Sequence, residues 1–496
     1  MLSSRMPFQF ETGAPPPEML FGYVSVRSQG GKSAFSVKKL PKSAKAFRAK
    51  ASDRQQAAKN LSSAGLTVVS ESQLGYAVTG PPGAFEELSG GKVITVEQLM
   101  RAESGRERYV THVDIVGDKQ PTACGHGQIK SKTMRLEGVL LERPRMLQGV
   151  FPSPIAPTVE QFHLRVPDDV AVGMAASAAH RAGRFGDGVN VTMVDSGQYP
   201  HPFFAAHRYD VRPTITVVPG TSPTQDPVGH GTGESANIFA VAPGASLQAI
   251  RASNNAGALV SAIGGFLAAK QGAPAIITNS WGGDGPFPPP GPPDQFDIVW
   301  ALEILDAIDN GIVVVFSAGN GSFTIEPQVP GVIGAGGAYI TETFDLRASN
   351  YASGYQSPWF ANRTVPDACG LVGLLPRAQY IMLPIPPGCL IDVGQSQPTP
   401  NDPNDDGTAP NDGWALFSGT SAAAPQLAGV AALILGARPG LTPAQVGQAM
   451  TATATDVRTG RCNPRFNNPA TVGHDQATGH GLVNASAAVQ FAIDNF

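Results

Sequence analysis

One stretch sets the expectation for the whole chain: Phe417-Ser-Gly-Thr-Ser-Ala-Ala-Ala-Pro-Gln-Leu-Ala-Gly-Val-Ala-Ala-Leu-Ile-Leu435. Its pattern predicts a tight turn that leads directly into a buried helix, because Gly419 allows a close turn and the apolar run suits burial. Thr420 or Ser421 can cap such a helix. A hydroxyl at this position also lies beside free backbone N–H groups and the positive end of the helix dipole, which favours a developing oxyanion. From this stretch alone, Ser421 is either a nucleophile or a helix cap.

Two glycine-containing blocks upstream favour the nucleophile. Val194-Asp-Ser-Gly197 follows a strand pattern, which places Asp195 at the carboxyl end of a strand, and Gly229-His-Gly-Thr232 opens a helix with His230 at its start. A serine hydroxyl needs an imidazole to take its proton, and the imidazole needs a carboxylate to fix its tautomer. The order Asp, His, Ser is the subtilisin order. Together the three blocks resemble the signature blocks of the subtilisin-like serine peptidases, the subtilases.

The resemblance covers about residues 165–496 and implies further site residues. Phe316-Ser-Ala-Gly-Asn-Gly321 resembles the family's Ala-Gly-Asn block, in which Asn320 would donate to the oxyanion; otherwise Asn320 is a turn residue at a strand end. Asn279-Ser-Trp-Gly-Gly283 matches the block that lines the substrate cleft with an open strand edge, along which a peptide can pair as an added strand. The candidate substrate-binding residues are Asn279, Ser280, Trp281, Gly282 and Gly283, with Trp281 left open between a pocket wall and ordinary core.

Two departures from the family pattern affect the cleft more than the reaction. Gly233 and Glu234 stand where the family usually has His-Val after His-Gly-Thr, and Gln426 stands where a His usually follows Ala-Ala-Pro. Neither change removes a proton-transfer atom. We therefore expect an altered cleft shape or specificity and an unchanged reaction.

No cofactor is expected for the chemistry, but a structural calcium ion is a candidate. Asp402, Asn404 and Asp406, followed by Gly407, occupy the first positions of a calcium-loop pattern. Position 12 is Gly413 and not Glu, so an acidic turn without metal is the alternative.

The alternation of segments predicts an α/β fold. Continuous apolar strands (Val189–Val194, Ser246–Ile250, Ala275–Thr278, Ile312–Phe316) are interleaved with helical patterns. This order is typical of a parallel sheet covered by helices on both faces, with functional residues in loops at the carboxyl ends of the strands.

Residues 21–100 predict a smaller α+β domain ahead of this fold. Their pattern is β-α-β-β-α-β, a split βαβ arrangement, with its last strand at Val93–Val96. Residues 1–20 are expected to be a disordered lead-in and residues 101–165 a linker, partly rich in proline. Many subtilases carry such a domain as a folding assistant and inhibitor, so the resemblance implies a propeptide. A permanent accessory domain is the alternative.

Composition limits the other function classes. The formal net charge of −4 argues against nucleic acid or an anionic membrane as the main partner, although Lys32 to Lys50 form a basic stretch that could match an acidic surface. No apolar run approaches the roughly 20 residues of a membrane span. The first residues lack an apolar segment typical of a secretory signal, so a cytoplasmic location is favoured over export. Cys369 and Cys389 could pair under oxidising conditions, but four reduced thiols are the simpler expectation.

The sequence thus predicts a serine endopeptidase that cuts protein or peptide substrates with Ser421, His230, Asp195 and Asn320. Its amino-terminal domain would act as an intramolecular inhibitor. The alternatives are a narrowly regulatory processing protease and a catalytically silent protein on the same fold. An esterase is disfavoured because the serine block is not Gly-x-Ser-x-Gly.

Overall fold

A parallel sheet forms the centre of the C-terminal unit, residues 162–496. The computed structural model describes residues 9–37, 39–101, 107–116, 126–128, 135–147, 162–376, 378–397, 405–408 and 410–496. The sheet has eight strands, and the strands up to Ile333–Ile340 run parallel in a continuous row. In spatial order its strands are Asp210–Thr216, Ser246–Arg251, Asn190–Asp195, Ile276–Asn279, Val313–Ser317, Ile333–Ile340 and Leu346–Ala348, with Ala368–Leu371 also paired to Ile333–Ile340.

Helices cover both faces of this sheet, as predicted. Thr420–Ala437 and His230–Val241 pack on one face, and Ala262–Gln271 and Gln295–Asp309 pack on the other. Within the described residues, Thr420–Ala437 is the one helix long and apolar enough to cross a membrane, and 83% of it is buried inside the protein. The remaining helices are Asp168–Gly173, Ala176–Arg181, Pro202–Ala206, Leu390–Gln395, Pro443–Ala452 and Ala485–Asn495.

Two smaller sheets complete the C-terminal unit. One joins Leu164–Arg165, Ile381–Pro384 and Trp414–Phe417, and it delivers the chain to the start of the buried helix at Thr420. The other pairs Tyr355–Gln356 with Thr364–Val365.

The N-terminal unit, residues 9–141, contains the predicted elements in a different pairing. Its antiparallel sheet has the order Thr67–Glu71, Gly75–Gly80, Leu20–Val26, Leu136–Leu141, His126–Gln128, with the helices Ala51–Ser63 and Pro82–Ser89. The predicted fourth strand, Val93–Val96, lies instead in a second sheet formed by Gln9–Glu11, Lys92–Arg101 and Glu107–Val116.

Two boundary predictions are therefore wrong. The strand Leu136–Leu141, beside the central strand of the N-terminal unit, comes from the segment predicted as linker, and Gln9–Glu11 comes from the predicted disordered lead-in. Alternation of apolar residues identifies a strand but not its partner. Leu136, Val139 and Leu140 are fully buried, which explains why this later strand takes the place beside the central one.

The N-terminal sheet packs against the helices Ala262–Gln271 and Gln295–Asp309 of the C-terminal unit. Polar contacts fix this position: Ser72 Oγ donates to Glu303 Oε1 at 2.7 Å, and Arg48 Nε lies 2.7 Å from Asp306 Oδ1. Arg48 belongs to the predicted basic stretch. The N-terminal unit is thereby held against the face of the C-terminal unit that adjoins the cleft block at residues 279–283.

Candidate active site

Asp195 and His230 form a buried hydrogen-bonded pair. Asp195 is the last residue of its strand and His230 the first residue of its helix, and their side chains are 1% and 2% exposed. His230 Nδ1 lies 2.8 Å from Asp195 Oδ1, and the backbone N–H of Ser196 donates to the same oxygen at 2.7 Å. Since a carboxylate only accepts, Nδ1 carries a proton, and in the neutral imidazole Nε2 is left to act as a base.

Asp226, which is not among the residues predicted from the sequence, fixes the start of the His230 helix. Its Oδ2 accepts from the backbone N–H and the hydroxyl of Thr232 at 2.9 and 2.8 Å, and its Oδ1 accepts from Ser196 Oγ at 2.8 Å. Ser196 Oγ in turn accepts from the N–H of Gly231 at 2.9 Å. A carboxylate at a helix start satisfies free N–H groups, so an Asp four residues before His230 was the available signal.

Ser421 lies in the first turn of the buried helix and is fully buried. Its Oγ donates to the carbonyl of Ser280 at 3.1 Å, and Ser280 Oγ donates to the Ser421 carbonyl at 2.8 Å. Ser280 follows the strand Ile276–Asn279, whose last residue is in register with Val194. Ser421 and Asp195 are therefore held at the same edge of the sheet. His230 Nε2 has no hydrogen-bond partner among the described residues.

Asn320 is hydrogen-bonded to Thr420, the residue that precedes Ser421. Its Oδ1 accepts from the backbone N–H of Thr420 at 3.0 Å and from the Thr420 hydroxyl at 3.1 Å. The Thr420 hydroxyl also accepts from the Gly319 N–H at 3.1 Å. Because the amide is planar and its oxygen is engaged by Thr420, the Nδ2 donors point to the opposite side of the group.

The predicted cleft block forms an edge strand, Trp281–Gly282. This edge strand pairs antiparallel with Met146–Leu147, which we call the linker strand: Trp281 lies opposite Leu147 and Gly282 opposite Met146. Trp281 itself is fully buried, and its Nε1 donates to the Val194 carbonyl at 2.8 Å. Asn279 is also buried and donates to Val315, whereas the Gly283 N–H donates to Thr324 Oγ1.

The comparisons with known proteins agree with this geometry. The family model described as "Subtilase family" (Peptidase_S8) matches residues 186–360 and 385–481, more than half of the chain. The chain belongs to the subtilase family. It is a subtilisin-like serine endopeptidase.

Similar curated proteins cover most of the chain. Subtilisin E from Bacillus subtilis is 26% identical over 423 residues, which are 80% of this chain and 90% of that protein. M-protease from Shouchella clausii is 25% identical over 64% of this chain and 68% of its own length. A probable subtilase-type serine protease from Deinococcus radiodurans is 31% identical over 62% of this chain, but only 41% of that protein is matched.

A solved structure shows the same fold. Fervidolysin from Fervidobacterium pennivorans, described as a keratinolytic enzyme related to subtilisin, aligns with a TM-score of 0.54 at 18% identity. The alignment covers 97% of this chain and 63% of the fervidolysin chain.

Glu234 places a second carboxylate beside the histidine of this subtilase. It is fully buried, its Oε1 lies 3.9 Å from His230 Nε2, and that oxygen has no hydrogen-bond partner among the described residues. Its Oε2 accepts from Asn237 Nδ2 at 2.9 Å. In the sequence, Glu234 is a departure from the family pattern to which no role was assigned.

The pKa values of the two groups are shifted in the same direction. Burial lowers the pKa of His230, but the charge and hydrogen bond of Asp195 and the charges of Glu234 and Asp226 outweigh it and raise the pKa to about 9. Burial raises the pKa of Glu234 to about 8, against the opposing effect of His230. His230 is thus held as an imidazolium over a wider pH range than an isolated histidine.

The calcium residues are only partly described. Asp402 and Asn404 lie outside the described residues. Asp406 Oδ1 accepts from the Thr408 N–H and hydroxyl, and its Oδ2 accepts from the Leu416 N–H at 2.8 Å. No group of three or more His, Cys, Asp or Glu side chains arranged to hold a metal is present in the described residues. The calcium site stays a prediction.

Cys369, Cys389 and Cys462 are buried free thiols, so Cys369 and Cys389 are not paired with each other in this structure. Burial raises the pKa of Cys389 to about 12. These thiols are therefore weak nucleophiles at neutral pH.

Replacing Glu234 by Gln should move the acidic limb of the pH profile to lower pH. His230 must be neutral to accept a proton, and a negative neighbour favours its charged form, so removal of that charge lowers the His230 pKa. With a pKa of about 8, Glu234 is ionised where His230 titrates. We expect the midpoint of kcat/KM against pH to fall by about half a unit or more. Asp367→Asn, a carboxylate of the C-terminal unit paired with Arg363, serves as the control. An unchanged midpoint in Glu234→Gln would contradict the prediction.

Proposed function

We propose that this subtilase hydrolyses peptide bonds through Ser421, His230 and Asp195, with Asn320 as an oxyanion donor. The supporting observation is the buried 2.8 Å pair of Asp195 and His230 at the sheet edge where Ser421 begins the buried helix. A carboxylate that holds Nδ1, with Nε2 left without a partner among the described residues, is the arrangement that a general base requires.

The reaction proceeds by two acyl transfers. Ser421 Oγ rotates away from the Ser280 carbonyl, gives its proton to His230 Nε2 and bonds to the scissile carbonyl carbon. His230 then passes the proton to the leaving amine as the C–N bond breaks. A water molecule repeats the sequence: it gives a proton to His230, attacks the acyl carbon and releases Ser421. Asp195 stabilises the imidazolium in both halves.

The oxyanion is held by two donors from adjacent elements. The Ser421 backbone N–H lies in the first helical turn, where N–H groups have no intrahelical partner. Asn320, whose oxygen is fixed by Thr420, would supply its Nδ2 as the second donor. Both donors are set before substrate arrives, so they need no reorganisation as charge develops.

The N-terminal unit acts as an intramolecular inhibitor. Its sheet lies on the helices Ala262–Gln271 and Gln295–Asp309, and the linker strand that follows it is paired to the edge strand Trp281–Gly282. A substrate that adds to the same edge must displace the linker strand. The alternative is a permanent accessory unit. Cleavage of the segment after the linker strand is expected for an inhibitor and not for an accessory unit, so it distinguishes the two hypotheses.

Ser421→Ala should abolish hydrolysis and leave the fold intact. The exchange is small, while the nucleophile is lost, so turnover falls by at least about 10⁴-fold. Wild-type protein should react with a fluorophosphonate probe at Ser421 and yield a fragment that begins within residues 101–165. The Ser421→Ala chain should stay at full length.

The control for that experiment is Ser349→Ala, which removes a buried hydroxyl that donates to the Gly373 carbonyl. Turnover near the wild-type value in Ser421→Ala would reject the nucleophile. A wild-type chain that neither reacts with the probe nor cuts peptides would support the silent-protein alternative. A full-length chain that is fully active and uncut would make the N-terminal unit a permanent accessory.

Asn320→Ala should lower kcat by about 10²–10³-fold with a smaller change in KM, because the amide acts mainly on the transition state. The measurement is steady-state kinetics on one peptide. Asn310→Ala, at the end of the helix Gln295–Asp309, is the control for loss of a side-chain amide. An unchanged kcat in Asn320→Ala would remove Asn320 from the oxyanion role.

A structural calcium ion, held by Asp402, Asn404 and Asp406, should raise the melting temperature as calcium concentration increases. A ligand that binds only the folded state stabilises it by mass action. Thermal unfolding in millimolar calcium and in EDTA measures this. If the unfolding curve of the wild type is the same in calcium and in EDTA, and that of Asp406→Asn is likewise the same in both, the result favours an acidic turn without metal.

A further inference from the structure

We propose that the cleft of this subtilase contains an arginine-selective pocket, filled in this structure by Arg145 of its own chain, and that the enzyme prefers substrates with arginine at the corresponding position. The proposal rests on the proposed function, because it takes Ser421 as the nucleophile. Arg145 directly precedes the linker strand, so the side chain in the pocket belongs to a peptide already paired with the edge strand.

The pocket combines a buried carboxylate with aromatic faces. Arg145 Nη1 lies 2.7 Å from Glu326 Oε1, and the two side chains are 4% and 0% exposed. The guanidinium carbon is 5.2 Å from the ring centre of Phe296, 5.7 Å from Trp300 and 5.9 Å from Trp281. A planar cation between aromatic faces and a carboxylate is the environment that arginine suits best.

The pocket is built by the C-terminal unit and does not depend on Arg145 for its shape. Glu326 also accepts from Trp300 Nε1 at 3.1 Å and from the Thr324 hydroxyl. Trp281 and Trp300 stack at 6.1 Å within the core. These contacts keep the carboxylate in place when the linker segment leaves.

Arg143, two residues before Arg145, is likewise paired with a carboxylate and lies over an aromatic ring. Residues two apart in an extended segment point to the same side. Arg143 Nη2 lies 2.7 Å from Asp294 Oδ2, and its guanidinium carbon is 4.5 Å from the ring centre of Phe296. The neighbouring Asp297 is half-buried, and desolvation together with the Asp294 charge raises its pKa to about 8.

The charge balance of the pocket argues for a replacement cation. Glu326 is fully buried, and a buried carboxylate without its counter-ion is strongly destabilising. If cleavage releases Arg143 and Arg145, the pocket keeps the carboxylates of Glu326 and Asp294 and loses two guanidinium groups. A basic side chain from a substrate restores the pairs. The segment Arg143 to Leu147 thus acts as a template for the substrates that the cleft accepts.

The register gives the position of the arginine relative to the cut. Leu147 lies opposite Trp281, so in a peptide of the same register the next residue falls opposite Ser280, whose carbonyl is 3.1 Å from Ser421 Oγ. That residue supplies the scissile carbonyl. The arginine is three residues before it, the fourth residue on the amino side of the cut.

Only one nitrogen of the Arg145 guanidinium is bonded to Glu326, and Nε and Nη2 have no hydrogen-bond partner among the described residues. Recognition therefore depends on charge and stacking more than on a two-point fork. Lysine should consequently be accepted less well than arginine but better than a neutral residue of the same shape.

The test compares peptides that differ at one position. Quenched peptides with the sequence of residues 143–152 carry Arg, Lys or citrulline at the position of Arg145. They are cleaved by the purified chain after it has cut its own linker and released the N-terminal segment, so that Arg145 no longer fills the pocket. Citrulline keeps the shape of arginine and removes its charge. We expect citrulline to lower kcat/KM by at least about 30-fold, with Lys between the two and the cut after Gln148.

A second experiment keeps the same peptides and substitutes the pocket residue Glu326. Glu326→Gln keeps groups that can bond Trp300 and Thr324 and should reduce the Arg-to-citrulline ratio to about threefold or less. Asp367→Asn, a carboxylate paired with Arg363, is the control and should keep the wild-type ratio. Should Glu326→Gln fail to fold, the three peptides on the wild type still decide the question.

The outcomes separate the pocket from the reaction. A wild-type enzyme that reacts with fluorophosphonate at Ser421 but cuts the Arg and citrulline peptides at rates within about threefold overturns the arginine pocket and leaves the proposed function standing. A chain that does not react with the probe and cuts none of the peptides overturns both.

Discussion

The structure depends on one buried hydrogen bond, between the Asp195 carboxylate and the His230 imidazole. A charge at 1% exposure is costly unless it is paired and hydrogen-bonded, and here the imidazole and the Ser196 N–H share one oxygen. This bond forms only if the end of the strand that carries Asp195 and the start of the helix that carries His230 lie close enough for the two side chains to meet. Asp226 holds these two ends together, because it bonds to the strand end through Ser196 and to the helix start through Thr232. The local geometry of the active site is therefore set by a residue that takes no part in proton transfer.

Buried carboxylates also explain how the N-terminal unit is held. Glu303 receives hydrogen bonds from Tyr23 and Ser72 of that unit, and Glu326 binds Arg145 at the end of it. Each carboxylate lies on the C-terminal unit and is satisfied in part by the N-terminal segment. Lys270, at 2.5 Å from Glu303, belongs to the C-terminal unit and would remain after separation, whereas Arg145 would not. The two carboxylates therefore differ when the N-terminal segment is released. Glu303 keeps Lys270 as its counter-ion, whereas Glu326 loses Arg145 and needs another cation.

The sequence was sufficient for the fold of the C-terminal unit, and it singled out the residues on which the proposed reaction rests. Strands with continuous apolar residues and helices between them predicted the parallel sheet, and the glycine-containing blocks predicted Asp195, His230, Ser421 and Asn320 as site residues. The pairing of Leu136–Leu141 with the central strand of the N-terminal unit was not predictable, since alternation carries no information on partners separated by a hundred residues. The same limit hid the Arg145 pocket. Nothing in Glu326-Pro-Gln328 indicates a ligand until folding brings Trp281, Phe296 and Trp300 around it.

The two departures from the family pattern, at Glu234 and at Gln426, are linked to each other through Asn237. Gln426 Nε2 donates to Asn237 Oδ1 at 3.0 Å and to the Leu371 carbonyl at 3.1 Å, and its Oε1 accepts from the Leu371 N–H. Because the Asn237 oxygen is engaged in this way, its Nδ2 is turned toward Glu234, to which it donates at 2.9 Å. Glu234 can be buried beside His230 only because a donor meets its second oxygen, and that donor is oriented from the buried helix by Gln426. An apolar residue at position 426 would free Asn237 to turn, and the Glu234 carboxylate beside the His230 imidazole would lose the contact that fixes it.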